Sequence, residues 1–279
     1  MTVPVDISPW KPAPFVLGDE TVFAIGDIHG CARELAALLD AIADAAAETE
    51  PAQRRRLIYL GDMIDRGPDN VGVLKLWAEG PERRGVHRID RLMGNHEQLL
   101  MLALAADHPD RDKAHTMWLS QRMGGTIALD QIGAVAGREG AGLSRALLAE
   151  ALGDGAVAQL DAMASHVSLG NALFVHGGLD PAFDAAELLA RPWTAFTEAR
   201  WAWVHREFLE WRGGFGGRIV VHGHTPPKMH FEITGQADPH ELMFDRLGLD
   251  GGTTVAGFVT GAQIENGRYR ILRTGTAIA

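Results

Sequence analysis

Cysteine is almost absent from this sequence, because Cys31 is the single one among 279 residues. No disulfide can form within the chain, and a reducing compartment is the simplest environment for such a composition. The first twenty residues also lack the basic start and apolar core of a secretory signal peptide. No uninterrupted apolar run reaches the ~18 residues typical of a membrane span. We therefore expect a cytoplasmic protein without a membrane partner.

Positive charge is scarce as well, since 26 lysines and arginines stand against 36 aspartates and glutamates, giving a net charge of -10. Affinity for nucleic acid depends largely on cationic contacts to phosphates, so an acidic chain is a poor candidate for a nucleic-acid-binding protein. Basic peptides, or small phosphorylated molecules held by local cations, are compatible with this balance. The hydrophobic fraction of 46% supports a sizeable core.

What the sequence does contain is a repeated order of apolar strand, polar loop and helix. The segments "TVFAIGDIHG", "RLIYLGDMIDRG" and "RIDRLMGNHE" each precede a helical stretch. This alternation predicts an α/β fold with parallel strands, and such sheets bind ligands at the carboxyl ends of their strands. Strand patterns return from residue 171, and the last three are spaced like hairpins. We expect two packed β-sheets flanked by helices, with the C-terminal strands in a second, mixed or antiparallel sheet.

Residues 98–165 have a mostly helical pattern and interrupt the succession of strands. We interpret this segment, called the cap from here on, as a helical insertion within a single domain that spans residues 1–279. Its sequence carries little further information, although we expect much of the substrate specificity to depend on it.

Polar side chains with metal-binding chemistry follow five of the predicted strands. They are Asp27, His29, Asp62, Asp65, Arg66, Asn95, His96, Glu97, His176, His222 and His224. Carboxylate, imidazole and amide ligands suit Mn, Fe or Zn better than Ca or Mg. Two ions ~4 Å apart need a bridging carboxylate, and Asp62 is the central candidate. Any one of these residues alone would more often be a helix cap, a turn residue or a core histidine, but capping does not explain five ordered sets at strand ends.

The ordered motifs "GDIHG", "GDMIDRG", "GNHE", "VHGG" and "HGHTP" resemble those of the calcineurin-like metallophosphoesterases, over about residues 21–256. They are similar in particular to the phosphoprotein-phosphatase branch, which includes bacterial Ser/Thr phosphatases and symmetrical diadenosine tetraphosphatases. The resemblance implies an αββα sandwich and two divalent ions, with manganese expected and iron or zinc as alternatives. It implies one ion held by Asp27, His29 and Asp62, and a second held by Asp62, Asn95, His176 and His224.

The same resemblance implies the catalytic roles. A water molecule between the two ions would attack phosphorus, and His96 would act as general acid for the leaving oxygen, with Glu97 orienting it. Arg66 would bind the substrate phosphate through two parallel hydrogen bonds, and Asn95 would help to stabilise the equatorial oxygens. Asp65 is expected to orient its loop or to pair locally.

Two positions stay open at the level of sequence. His222 stands two residues before His224, and it either supports the metal site from behind or exchanges with His224 as a ligand. Related bacterial proteins often have an arginine in a "WIR" motif late in the chain, where this sequence has "WAWVHREF". The candidates to reach the phosphate from this region are Arg200, His205 and Arg206.

The predicted function is hydrolysis of phosphomonoesters, with a Ser/Thr protein phosphatase acting on phosphorylated peptides or small phosphoesters as the leading hypothesis. A symmetrical diadenosine tetraphosphatase that releases ADP is the alternative, but it needs a surface for base stacking, and the cap offers only Trp118 as a large aromatic side chain. A nuclease is disfavoured by the acidic balance, and a catalytically silent scaffold by the complete set of ligands and catalytic groups. The "LDGGTT" segment that starts at Leu249 is expected to form a structural turn behind the site.

Overall fold

The computed structural model describes residues 3–275, apart from the side chain of Thr254. Its strands are β1 (Val5–Ile7), β2 (Lys11–Pro12), β3 (Glu20–Ile25), β4 (Arg54–Tyr59), β5 (Arg88–Arg91), β6 (His166–Leu169), β7 (Ala172–Val175), β8 (Ile219–His222), β9 (Arg246–Gly248), β10 (Thr260–Glu265) and β11 (Arg268–Thr274). Its helices are α1 (Ala32–Ala47), α2 (Asn70–Trp77), α3 (Asn95–Leu104), α4 (Arg111–Trp118), α5 (Gly125–Val135), α6 (Arg145–Leu152), α7 (Asp154–Asp161), α8 (Ala185–Leu189), α9 (Arg206–Glu210), α10 (Pro227–Thr234) and α11 (Thr253–Ala256).

The strands form two sheets. The larger sheet has the order β1-β11-β10-β3-β4-β5, with β2 also paired to β11, and the smaller sheet has the order β6-β7-β8-β9. Strands β3, β4 and β5 run parallel, as do β7, β8 and β9. The predicted α/β architecture of two packed sheets flanked by helices is confirmed, and each sheet has parallel strands whose carboxyl ends can carry a site.

The prediction for the C-terminal strands is wrong in one respect. The hairpin of β10 and β11 belongs to the larger sheet, where β10 pairs antiparallel with β3 and Gly261 lies opposite Ile25. Hairpin spacing encodes the local partner of a strand but not the distant edge that the hairpin joins. In addition, α11 occupies Thr253–Ala256, and α10 lies between β8 and β9.

The side chains of the central strand β3 alternate between two hydrophobic clusters, one on each face of the sheet. All six of its residues are buried. Val22 and Ala24 lie in the cluster between the two sheets, together with Phe174 of the smaller sheet. Phe23 and Ile25 point the other way, into the cluster beneath the outer helices. Because successive side chains of a strand face opposite sides, a strand covered on both faces has a continuous apolar run rather than an alternating one.

Helix α1 covers the outer face of this sheet. Its buried positions Leu35, Leu38, Leu39 and Ile42 follow the spacing that places side chains on one face of a helix. The alanines between them favour helix formation at little entropic cost. This packing fixes the loop between β3 and α1, where the first of the predicted metal ligands stand.

The cap segment, residues 98–165, begins within α3 and contains α4 to α7. It has a small apolar cluster of its own, in which Ile132 and Leu148 pack on Val71 of α2. Its division from the rest of the domain stays a prediction. Within residues 3–275, none of the helices combines the length and apolar character that a membrane crossing requires.

Candidate metal and catalytic site

The predicted ligands converge at the carboxyl ends of the parallel strands of both sheets. Asp27 and His29 follow β3, Asp62 follows β4, His176 follows β7 and His224 follows β8, while Asn95 opens α3 after β5. All six side chains are buried. Most of them line a cavity of about 220 Å³, together with Arg66 and His96.

Asp62 lies at the centre of this arrangement. It belongs to two groups whose ligand atoms lie within 4.8 Å of one another, the first with His29 and His96 and the second with His176 and His224. His176 Nε2 is 3.3 Å from Asp62 Oδ1, and His29 Nε2 is 3.8 Å from Asp62 Oδ2. One carboxylate therefore faces both groups with different oxygens, which is the geometry that a bridging ligand requires.

The histidines are oriented by hydrogen bonds on the side away from the cavity. Nδ1 of His29 donates to the carbonyl of Ile64 at 2.9 Å, and Nδ1 of His176 donates to the carbonyl of Leu60 at 3.0 Å. His224 Nε2 is buried and has no hydrogen-bond partner among the described residues. An Nδ1–H donated to a carbonyl leaves the lone pair of the neutral ring on Nε2, and this is the atom that a metal ion binds.

The charges of the site also fit cations. Burial raises the pKa of Asp27 well above its ordinary value, and the carboxylates of Asp250 and Asp62 raise it further. Burial and the proximity of Asp62 raise the pKa of Asp250 to about 6, against a hydrogen bond from the Gly252 backbone. Buried carboxylates that repel one another in this way are stabilised by a divalent cation between them. The donor set of carboxylates, imidazoles and an amide therefore fits a pair of divalent ions.

The backbone of the site is strained. Seven non-glycine residues of the described chain have a positive φ, and five of these belong to the site: His29, Asp62, Asp65, Arg66 and His224. A left-handed conformation costs an L-residue ~1–2 kcal/mol. At Asp62 the surrounding structure compensates, because its carbonyl oxygen accepts hydrogen bonds from the backbone N–H groups of both Ile28 and His29. Strain of this kind concentrates where side chains must be aimed at a reacting group.

His96 is held between a carboxylate and a guanidinium. Its Nδ1 lies 2.6 Å from Asp65 Oδ2, and its Nε2 lies 2.9 Å from Nη2 of Arg66. The other terminal nitrogen of Arg66, Nη1, is 3.0 Å from Nε2 of His29. The guanidinium thus points both of its terminal nitrogens into the cavity, in the fork geometry suited to a phosphate.

The expectation that Glu97 orients His96 is wrong. The carboxylate of Glu97 points away from the imidazole and accepts hydrogen bonds from four backbone amides: Oε2 from Asp62 and Gly94, and Oε1 from Met63 and Ile64. Asp65, rather than Glu97, contacts the imidazole. On a helix the side chain of a residue lies about 100° from that of its neighbour, so adjacent residues do not face each other.

A comparison with protein families decides how this geometry is classified. The model of the family described as calcineurin-like phosphoesterase matches residues 20–251. The chain belongs to this family. The predicted family is thereby confirmed, and with it the class of phosphoric ester hydrolases at the level of the family.

Curated relatives of this phosphoesterase match shorter segments. A serine/threonine-protein phosphatase 1 from Salmonella typhimurium is 35% identical over 98 residues, which cover 35% of this chain and 37% of the relative. A symmetrical bis(5'-nucleosyl)-tetraphosphatase from Nitrosomonas europaea is 37% identical over 84 residues, which cover 30% of this chain and 27% of the relative. The matched segments therefore span little more than a third of these relatives at most.

Among solved structures, a cold-active protein-tyrosine phosphatase from a psychrophilic Shewanella species has a similar fold, with a TM-score of 0.51. The sequence identity is 17%, and the match covers 91% of this chain and 80% of that one. At this identity the likeness concerns the fold alone, and it agrees with the two-sheet architecture of the phosphoesterase.

The structure separates the positions that the sequence left open. His205 lines the cavity of this phosphoesterase and stacks on His224 at 3.8 Å between ring centroids. Arg200 points elsewhere and pairs with Asp180, and Arg206 pairs with Glu210 on the surface. Of the three candidates from this region, His205 is therefore the one that faces the cavity.

His222 lies behind the site rather than in it. Its ring packs edge-on against Phe208 at 5.0 Å between centroids, and it is absent from the cavity lining among the described residues. His224, two residues later, has a positive φ that turns its side chain into the cavity. The turn breaks the alternation of the strand, so the two histidines do not share a side as continuous strand spacing would require.

Two cavity residues were missed by sequence reasoning. Asp250, expected in a structural turn, lines the cavity and raises the pKa of Asp27. It stands two residues after β9, and this strand-end position was the signal that could have identified it. Arg122 of the cap also lines the cavity and is exposed to solvent, but nothing in its local sequence marks it.

Proposed function

We propose that this phosphoesterase hydrolyses phosphomonoesters, and that phosphoserine or phosphothreonine peptides are its substrates. The observation that carries the proposal is the contact chain from Asp65 through His96 to Arg66, at the wall of a cavity that two groups of metal-binding side chains share. It combines a proton donor, a phosphate clamp and a site for cations within one small space.

In this proposal Asp27, His29 and Asp62 hold one divalent ion, and Asp62, Asn95, His176 and His224 hold a second. Manganese is the proposed ion, with iron or zinc as alternatives that the same donors accept. When bound, such ions supply an acidified water as nucleophile and neutralise charge on the phosphoryl oxygens.

The remaining chemistry belongs to the side chains. Arg66 binds the phosphate through its two terminal nitrogens and stabilises the charge that develops on the equatorial oxygens. In the free structure Nε2 of His96 accepts from Nη2 of Arg66, while Nδ1 donates to Asp65. In this proposal a bound phosphate takes over the Arg66 nitrogen, and Nε2 then carries the proton that His96 transfers to the leaving oxygen. The cavity volume of about 220 Å³ suits a phosphate with the first atoms of its ester group, so the rest of a peptide extends across the mouth of the cavity.

The alternative substrate is diadenosine tetraphosphate, and the symmetrical tetraphosphatases among the curated relatives favour it. This substrate needs a stacking surface for its bases. Trp118 is fully buried and is not available for stacking. Trp203, half-buried in the cavity lining, is the aromatic side chain that a base would contact.

Steady-state assays distinguish the two candidates. The manganese-loaded enzyme should release phosphate from phosphoserine and phosphothreonine peptides and from p-nitrophenyl phosphate faster than it releases ADP from diadenosine tetraphosphate. The substitution His96→Asn should lower kcat on the phosphopeptides by at least ~10²-fold, with an unchanged metal content by elemental analysis. His115→Asn, on cap helix α4 and outside the cavity lining, is the matched control. Dominant release of ADP would replace this proposal with the alternative, and full activity of His96→Asn would remove His96 as the acid.

A further inference from the structure

One buried side chain of the cap donates a hydrogen bond to Asp65, the carboxylate that contacts His96. Trp118, the last residue of α4, donates its indole N–H to Asp65, with Nε1 at 3.0 Å from Oδ1 and 2.9 Å from Oδ2. Oδ2 is the same oxygen that lies 2.6 Å from His96 Nδ1. Trp118, Asp65 and His96 are each 1% exposed or less. The three side chains therefore form a buried, hydrogen-bonded chain of indole, carboxylate and imidazole.

The carboxylate of Asp65 depends on this indole. Within residues 3–275, the hydrogen-bond donors to its two oxygens are the indole of Trp118 and the ring of His96, and Oδ1 is contacted by the indole alone. Arg66, next along the chain, directs its guanidinium towards the imidazoles of His29 and His96 instead. Without the indole, Oδ1 would be a buried oxygen with no donor, and the carboxylate would be free to turn about its last bond.

The cap also fixes the indole from behind. A Cβ atom at Gly125, the first residue of α5, would lie 2.5 Å from Cε2 of Trp118, so the helix backbone rests directly on the ring. A Cβ at the preceding Gly124 would lie 2.8 Å from Cγ of Arg66. The backbone of these two consecutive glycines therefore packs directly against the side chains of Arg66 and Trp118. Contacts this close leave the indole little freedom to move.

We propose that Trp118 is a positioning residue for proton transfer. It holds the Asp65 carboxylate in the orientation that aims Nε2 of His96 at the leaving oxygen, and it touches neither the substrate nor a metal ion. The proposal rests on the proposed role of His96 as general acid. It explains why a polar indole from the cap is buried at this point, since an apolar ring would fill the same space without a hydrogen bond.

The test compares two tryptophan variants on two substrates. Phenyl phosphate has a poor leaving group that needs a proton, whereas 2,4-dinitrophenyl phosphate has a good one that does not. Trp118→Phe should lower kcat on phenyl phosphate by ~10-fold or more, with a change within ~2-fold on 2,4-dinitrophenyl phosphate. The matched control is Trp77→Phe, because Trp77 is equally buried and its Nε1 has no hydrogen-bond partner among the described residues. Its variant should affect both substrates alike.

Two further measurements test whether Trp118 acts through Asp65. In a double-mutant cycle, Trp118→Phe should cause no further loss on phenyl phosphate once Asp65→Asn is present. In the metal-free protein, Asp65→Asn should shift the indole N–H resonance of Trp118 and leave those of the other six tryptophans in place. This spectroscopic readout does not depend on activity, and it applies if Trp118→Phe fails to fold.

The outcomes separate this proposal from the proposed function. Equal losses on both substrates, additive effects in the cycle or an unmoved indole resonance would overturn the positioning role. If His96→Asn alone shows the dependence on leaving group, the proposed function stands without Trp118. If the wild-type protein hydrolyses neither substrate, or if His96→Asn affects both equally, the proposed chemistry fails and the positioning role fails with it.

Discussion

The buried carboxylate of Glu97 offers the sharpest test of the site's construction. Glu97 is the third residue of α3, and its two oxygens each serve two backbone amides. In the variant Glu97→Gln one oxygen becomes an NH₂ group. Whichever way the new amide turns, two buried backbone N–H groups lose their acceptor and face another donor. At ~1–3 kcal/mol for each unsatisfied group, the free energy of unfolding should fall by about 2–6 kcal/mol.

The measurement is urea unfolding of the metal-free protein at pH 8, above the pKa of about 7 to which burial and the nearby Asp62 carboxylate raise Glu97. The control is Glu34→Gln, since Glu34 holds the same third position in α1, and its carboxylate accepts no hydrogen bond from a backbone amide within residues 3–275. This control should cost under about 1 kcal/mol, the usual contribution of a charge near a helix N-terminus. A loss below about 1 kcal/mol for Glu97→Gln would refute the account of Glu97 as a clamp on the loop.

Three further results are expected. Manganese at a hundredfold excess over its Kd should raise the free energy of unfolding by about 2.7 kcal/mol, and Asp62→Asn should abolish this gain; an unchanged gain would exclude a bridging role. Burial lowers the pKa of His222 in the folded protein to about 3. As the pH falls below ~6.5, the unfolded chain takes up this proton before the folded protein does, so the free energy of unfolding should decrease by about 1.4 kcal/mol between pH 7.5 and pH 5.5. His222→Phe should remove this part of the pH dependence in thermal melts at the two pH values, and identical profiles would contradict it. Arg122→Ala should raise KM several-fold for peptides with an acidic residue beside the phosphoserine and leave kcat unchanged, because Arg122 is exposed at the rim of the cavity; a fall in kcat would place it at the reacting phosphate instead.

Most of the architecture could be predicted from the sequence, because the carboxyl ends of parallel strands in an α/β fold lie at the same edge of a sheet. Asp27 and Asp62 stand after apolar runs, and the parallel pairing of β3 and β4 brings them to the same edge of the larger sheet. His176 follows an apolar run of the smaller sheet, and the packing of the two sheets brings it to the same site. The hairpin of β10 and β11 was misplaced since its spacing specifies a neighbour and not a sheet.

Side-chain direction within the site was harder to predict. Glu97 directly follows His96 and Asp65 lies 31 residues away along the chain, yet it is Asp65 that contacts the ring. The helix geometry at Glu97 and the positive φ of Asp65 decide this outcome. Arg122 and Trp118 come from the cap, and their contacts with the site depend on how the cap helices pack against the rest of the domain. No local pattern encodes such long-range packing.

The unusual backbone at five functional positions has a consequence for protein engineering. Glycine adopts a positive φ freely, so replacing any of these residues by glycine relieves ~1–2 kcal/mol of backbone energy while deleting a side chain that the proposed chemistry uses. A screen that rewards heat resistance alone would therefore enrich inactive clones at these sites, and thermostability should be selected together with turnover.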